Sequence, residues 1–174
     1  KATLVLNTPN VLPTPLKYGD PNYVISWTDD PIGSVPNVKL SYSLNSGSTY
    51  GNLINGGNPV SGSTYSWVIP DQIVGKVVKV KVESATDGAT FDVSNDTFKI
   101  VGKVKLDAPN GVVDCTVGQT CTIKWTPTGS FPSTVTLEYA TDGGTIWNSI
   151  GTVAAGANGV QQTYSAWSPA VGTV

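Results

Sequence analysis

The 174-residue chain contains no histidine, no methionine and no arginine, and the absence of histidine excludes the most function. Without it the chain cannot assemble a Ser-His-Asp or Cys-His catalytic centre, and it lacks the commonest zinc ligand. Glutamate is also scarce: Glu83 and Glu138 occupy non-matching positions and do not suggest the carboxylate pair of a glycosidase. We therefore expect a protein that is not an enzyme.

Charge is scarce as well, at 13% of residues with a net charge of -2. All the cations are lysines and form no basic patch, so we expect no nucleic-acid partner. No window of about 18 apolar residues occurs, so no membrane span is expected. Residues 1–3 lack the apolar core of a signal peptide, and any export signal is expected to have been removed or to lie outside this sequence.

Cys115 and Cys121 are the only cysteines. The residues between them suggest two short extended arms around a glycine turn, a geometry that would bring the two side chains within disulfide reach. The same spacing also suits two free thiols in a reducing compartment. The Ser/Thr/Asn-rich composition favours the disulfide and an oxidising location.

The chain repeats itself: Leu6 recurs as Leu106 and Val38 recurs as Val135, offsets of 100 and 97 residues. Five blocks recur in the same order, which predicts tandem domains. The matched blocks are 6–10 with 106–110, 23–28 with 121–126, 38–43 with 135–140, 46–50 with 143–147, and 64–67 with 164–167.

The repeat divides the chain into residues 1–102 and 103–174, joined by a very short linker at Val101–Lys103. The first repeat continues with segments 76–84 and 91–100, whereas the second stops at Val174 before any counterpart of them. We expect the second domain to lack its last strands. Either the chain is a fragment of a longer repeat array, or the strands are supplied from elsewhere.

Alternation of apolar and polar residues predicts strands throughout. In Val78–Glu83 valines alternate with charged residues, as in a half-buried antiparallel strand. Turn signals separate such runs at intervals of about ten residues. The predicted fold is all-β, with tandem immunoglobulin-like or fibronectin type III-like β-sandwiches, because about seven short strands per 100 residues is typical of that architecture.

Aromatic residues are the first candidates for binding. Trp27 and Trp125 lie in the middle of predicted strands and are expected in the core. Four others lie nearer to turns and strand ends, where burial in the core is still the favoured interpretation but stacking on sugar rings is the alternative. They are Tyr50, Trp67, Trp147 and Trp167.

Polar candidates are weaker. Asp87, Asp92 and Asp96 lie near predicted loops, where carboxylates can hold Ca²⁺. They match no loop motif with fixed ligand spacing, and isolated loop aspartates more commonly form turns. Otherwise we expect no metal or cofactor. Asn95 begins the one Asn-x-Ser/Thr sequence that could accept a glycan.

The motifs together resemble a known family. Their order is Pro-Asn, Ile-x-Trp-Thr, Val-x-Leu-x-Tyr, a Gly-rich turn before Tyr50 and Trp147, Trp67–Asp71, and Ser94–Ile100. It resembles the tandem Ig-like repeat of very long bacterial secreted and surface proteins. It is also similar to the Ser/Thr-rich domain of fungal glycolipid-anchored cell-wall proteins. The resemblance implies a spacer or surface-array module without catalytic residues.

We therefore predict an extracellular, non-enzymatic structural module at the cell surface, such as a stalk, adhesin, surface-layer or filament segment. Its expected partners are neighbouring repeats or identical subunits. One alternative is a carbohydrate-binding or accessory region of a secreted hydrolase, with cell-wall or extracellular glycans as ligands. Another is an assembly subunit completed by a partner's β-strand.

Overall fold

The computed structural model describes residues 2–10, 15–19, 23–29, 33–111, 115–130 and 134–170. Over these ranges the chain is all-β, with several antiparallel sheets, two short 3-10 helices and no α-helix. The chain forms two compact units, Lys1–Val101 (unit 1) and Gly102–Val174 (unit 2). Val174, where the second repeat is predicted to stop, lies outside the described residues.

Unit 1 contains ten strands in two sheets. One sheet has the order β1-β3-β7, and the other has the order β2-β10-β8-β4-β5, with β6 also paired to β4 and β9 to β8. All pairings are antiparallel except that of β2 with β10. The strands are Leu4–Thr8 (β1), Leu16–Lys17 (β2), Tyr23–Asp29 (β3), Asn37–Ser43 (β4), Asn52–Leu53 (β5), Val60–Ser61 (β6), Thr64–Trp67 (β7), Val77–Ser84 (β8), Phe91–Val93 (β9) and Phe98–Val101 (β10); the 3-10 helices are Ile54–Gly57 and Asp71–Ile73.

The core of unit 1 draws on both of its sheets. Leu6, Ile25 and Trp27 from one sheet and Leu40 and Val80 from the other belong to a single buried cluster. The alternation in β8 produces its share of this core, because residues two apart in a strand point to the same face. Its valines at positions 78, 80 and 82 are fully buried, and the lysines between them are partly exposed.

Unit 2 is smaller, with a three-stranded sheet in the order β11-β12-β15 and a two-stranded sheet of β13 and β14. All its pairings are antiparallel. Its buried cluster consists of Ile123, Trp125 and Leu137, with five half-buried side chains packed around them. The strands are Lys103–Ala108 (β11), Cys121–Thr128 (β12), Thr134–Tyr139 (β13), Asn148–Ala154 (β14) and Gln162–Trp167 (β15).

The two units share strand pairings in detail. Leu6 lies opposite Trp27, and Leu106 lies opposite Trp125. In both strand pairs the register shifts directly after the leucine, and a cis X-Pro peptide bond follows at Pro9 and at Pro109. The expectation of a buried tryptophan in each unit is confirmed, since Trp27 and Trp125 both lie in the core.

The units differ in how this sheet is covered. In unit 1, β1 lies against β8 and β9, and Leu6 is 0% exposed. Among the described residues of unit 2, no strand takes the place of β8 or β9 beside β13, and Leu106 is 47% exposed. The same residue type at matching positions therefore has two very different environments.

Substituting these two leucines should show the difference directly. We expect Leu6→Ala to destabilise unit 1 by about 2–5 kcal/mol, because it leaves a cavity in a closed core. Leu106→Ala should destabilise unit 2 by about 1 kcal/mol or less, because its side chain already contacts water. Hydrogen exchange of the amides in β1 and β11 measures the local unfolding free energy of each unit. Equal losses of that free energy in the two variants would contradict the difference in burial between Leu6 and Leu106.

Candidate functional site

The four aromatic candidates occupy different environments. Trp67 at the end of β7 is 3% exposed, and its ring lies 5.6 Å from that of Tyr42 between centroids. Trp167 at the end of β15 is half-buried, with its ring 5.4 Å from that of Tyr139. Both pairs occupy matching repeat positions. Trp67 thus offers no free face for stacking, and Trp167 offers a partial one.

Tyr50 and Trp147 follow matching loops, but of the two only the Trp147 side chain is largely exposed to solvent. Tyr50 is half-buried, its burial raises the pKa of its hydroxyl, and the Lys81 ammonium from β8 lies 6.0 Å from its ring centroid. Trp147 is 59% exposed, and its neighbour Ile146 is also exposed. Of the four candidates, Trp147 is the one that presents most of its ring to solvent.

A tight turn immediately precedes Trp147. The Asp142 carboxylate accepts hydrogen bonds from the N–H groups of Thr145 at 2.9 Å and Ile146 at 3.0 Å. Both hydrogen bonds lower the pKa of Asp142, and the bond from Ile146 has the larger effect. Two consecutive residues, Gly143 and Gly144, have positive φ values of 73° and 93°, a conformation that glycine adopts without strain.

Unit 1 builds the same turn with other side chains. Asn45 takes the place of Asp142, and its Oδ1 accepts the N–H of Thr49 at 2.9 Å. Ser46 and Gly47 have positive φ values of 58° and 93°. The recurrence of Asn-Ser-Gly and Asp-Gly-Gly in the sequence therefore reflects one backbone conformation.

The three calcium candidates are each engaged within unit 1. Asp92 Oδ2 accepts the N–H of Leu6 at 2.8 Å and so ties β9 to β1. Asp87 accepts from the backbone N–H of Ala89 and the hydroxyl of Thr90, and Asp96 accepts from its neighbour's N–H. In the part of the chain that the structure describes, no group of three or more His, Cys, Asp or Glu residues could hold a metal ion.

Asn95, the candidate glycan acceptor, has an exposed side chain in the segment between β9 and β10. Its backbone is held in place, since its N–H donates to Asn10 Oδ1 at 2.7 Å and its carbonyl accepts from Lys79 Nζ at 3.2 Å. The side-chain amide therefore projects from an anchored segment.

Cys115 and Cys121 form a disulfide, with their Cα atoms 5.4 Å apart. Between them Gly118 adopts a positive φ of 77°, and the N–H of Gln119 donates to the carbonyl of Thr116 at 3.0 Å. Because the closed loop is short, the disulfide contributes about 2 kcal/mol by restricting the unfolded chain. The disulfide closes the loop that precedes β12.

Asp107 lies at the centre of a group of polar and charged side chains that the sequence analysis did not identify. Its carboxylate accepts from Thr126 Oγ1 at 2.5 Å and Gln161 Nε2 at 3.2 Å, and it pairs with Lys105 Nζ at 2.9 Å. These partners lower the pKa of Asp107 from 3.8 to about 2, and the hydrogen bond from Thr126 has the largest effect. The spacing of Lys105 and Asp107, two apart on one strand, was the available signal.

The Asp107 cluster should make the stability of unit 2 depend on pH. The carboxylate stabilises the folded unit above the pKa of about 3.9 expected for the unfolded chain. That contribution is lost as the pH falls through the folded-state pKa of about 2. In Asp107→Asn the loss between pH 4 and pH 2 should be smaller, as measured by thermal unfolding.

Unit 1 is the internal control for this experiment, since it carries the neutral Asn7 at the position that matches Asp107. If Asp107→Asn left the acid dependence of unit 2 unchanged, the carboxylate would not be responsible for it.

The described residues include no helix that is both long and apolar enough to cross a membrane. Comparison with known proteins finds no matching family model, curated protein or solved structure.

Proposed function

We propose that the chain is a non-enzymatic structural module of an extracellular surface protein, built from tandem Ig-like β-sandwiches. The observation that carries this proposal is the repetition of the same pairings and turns in two units that follow each other almost without a linker. β10 ends at Val101 and β11 begins at Lys103, so Gly102 alone separates the last strand of one unit from the first of the next. Modules joined this closely have little slack chain between them.

The sandwich assignment is supported by the core of unit 1. Side chains from its two sheets contribute to one buried cluster, as two sheets packed face to face would. The buried tryptophan of β3 also suits the Ig-like class, of which a buried strand tryptophan is a hallmark.

The extracellular location is supported by the disulfide and by the surface chemistry. Disulfides persist in oxidising compartments and are rare in the cytosol. The chain has few charges and many Ser, Thr, Asn and Gly residues, a composition expected of an uncharged polar surface.

Labelling of cells of the source organism tests the location. Antibodies raised against the purified chain should bind intact cells, and protease added outside should remove that signal. A cytosolic protein detected in parallel should become visible only after permeabilisation. If the chain too were detected only after permeabilisation, the proposal of a surface module would be wrong.

Exposed Trp147 favours a second candidate function, binding of polymeric glycans. Its ring is exposed next to a fixed turn, which is the arrangement needed for stacking on a sugar. Soluble polysaccharides should then quench tryptophan fluorescence, and Trp147→Ala should weaken binding by about tenfold. The matched control is Ile146→Ala, which removes the adjacent exposed side chain and should leave binding unchanged. Unaltered fluorescence of the natural chain across a panel of cell-wall glycans would exclude this function.

A further inference from the structure

Unit 2 has an apolar groove along one edge of β13. The groove has a volume of about 240 Å³ and is open to solvent on one side. Strand β13 pairs with β14 on its other edge, and its near edge has no partner strand among the residues described. Both sheets of unit 2 contribute to the lining, which is formed by Val104, Leu106, Ile123, Trp125, Val135 and Leu137, with Thr136 and Glu138 at the rim.

Unit 1 shows which strand lies at the matching edge. In unit 1, the strand that matches β13 is β4, and β8 pairs antiparallel with its corresponding edge. Leu40 lies opposite Val82, and Tyr42 lies opposite Val80. The matching residues in unit 2 are Leu137 and Tyr139, so a strand that entered the groove in the same way would have a defined register.

Burial in the two units agrees with this assignment. In unit 1 the inward valines of β8 are fully buried, and β8 with β9 covers β1, so that Leu4 and Leu6 are buried. Their counterparts Val104 and Leu106 line the groove and are about half-exposed. The groove thus retains the apolar surface against which a β8-type strand would pack.

Charge adds a second constraint. In unit 1, Lys81 of β8 lies directly opposite Ser41 of β4. The residue of unit 2 that matches Ser41 is Glu138, which is exposed at the rim of the groove. A lysine in an incoming strand would therefore face a carboxylate across the strand pair, and opposite charges in such positions are favourable.

An intact second unit does not fit this role. Strand β13 of another copy already packs against its own three-stranded sheet, so it cannot also pack beneath β11 of the first copy. The other described strands of the chain each pair with a neighbour on at least one edge. A single extended strand without a covering sheet of its own can enter the groove without displacing any of them.

We infer that the groove of unit 2 binds one extended β-strand of the β8 type. The strand lies antiparallel to β13, with valine-like residues facing Leu137 and Tyr139 and a lysine facing Glu138. Main-chain hydrogen bonds along the free edge supply affinity, and the alternating side chains supply specificity. This inference concerns the groove itself and does not depend on the extracellular role.

A peptide with the sequence of Lys76–Ser84 tests the inference on the full 174-residue chain. Fluorescence anisotropy of the labelled peptide should show saturable binding with one site per chain. Hydrogen exchange should show new protection of the amides in Thr134–Tyr139. A peptide with Val78, Val80 and Val82 replaced by threonine keeps the shape and strand tendency but should bind at least about tenfold more weakly.

Protein variants test the position and the register. Leu106→Ala should weaken binding about tenfold, whereas Val160→Ala, which shortens an exposed apolar side chain outside the groove lining, should not. Glu138→Lys should weaken binding about fivefold, and the peptide variant Lys81→Glu should restore it. Restoration by exchanged charges is not expected from non-specific apolar adhesion.

Three results would overturn the inference. One is an absence of saturable binding, and another is equal binding of the valine and threonine peptides. The third is a chain that dimerises by itself with Thr134–Tyr139 already protected, which would make a second copy the occupant of the edge.

Discussion

The burial of one row of valines closes the core of unit 1. In unit 1, Val78, Val80 and Val82 of β8 close the core over β1 and β4, and the leucines of β1 are withdrawn from water as a result. Each fully buried side chain of this kind contributes roughly 1.5–3 kcal/mol. Among the described residues of unit 2 no such row lies beside β13, and Val104 and Leu106 are half-exposed.

Local features are preserved between the units even where this covering is not. The turn after β4 and the turn after β13 keep two consecutive residues of positive φ, with an Asn or Asp oxygen accepting a backbone N–H. The hydrogen bonds that define this turn come from residues within four positions of one another, so it forms without support from a second sheet. In each unit this turn is followed by an aromatic residue, Tyr50 in unit 1 and Trp147 in unit 2. The two rings differ in cover, since Lys81 of β8 lies over Tyr50 whereas Trp147 is largely exposed.

Several features were accessible from the sequence because they depend on short-range patterns. Alternation in Val78–Glu83 predicted both the strand and its buried face, and the mid-strand context of Trp27 and Trp125 predicted their burial. Two cysteines flanking a glycine turn favoured a disulfide over free thiols, and the structure contains that disulfide. The role of Asp92 could not be predicted, because its partner is the N–H of Leu6, far away in the chain. Nor could the sequence distinguish buried Trp67 from exposed Trp147, since their exposure depends on neighbouring strands.

The sequence by itself determined the all-β class, the repetition and the residues that form turns. These properties arise from side-chain alternation and backbone preferences, which act over a few residues. Only the tertiary structure decided which apolar positions are covered and where Asp107 meets its three partners. It also decided that one edge of β13, beside an apolar groove, has no partner strand in the part of the chain that the structure describes. Those outcomes depend on which strands pack together. Leu6 and Leu106 show why, because identical residues with matching strand partners differ in burial according to what lies over them.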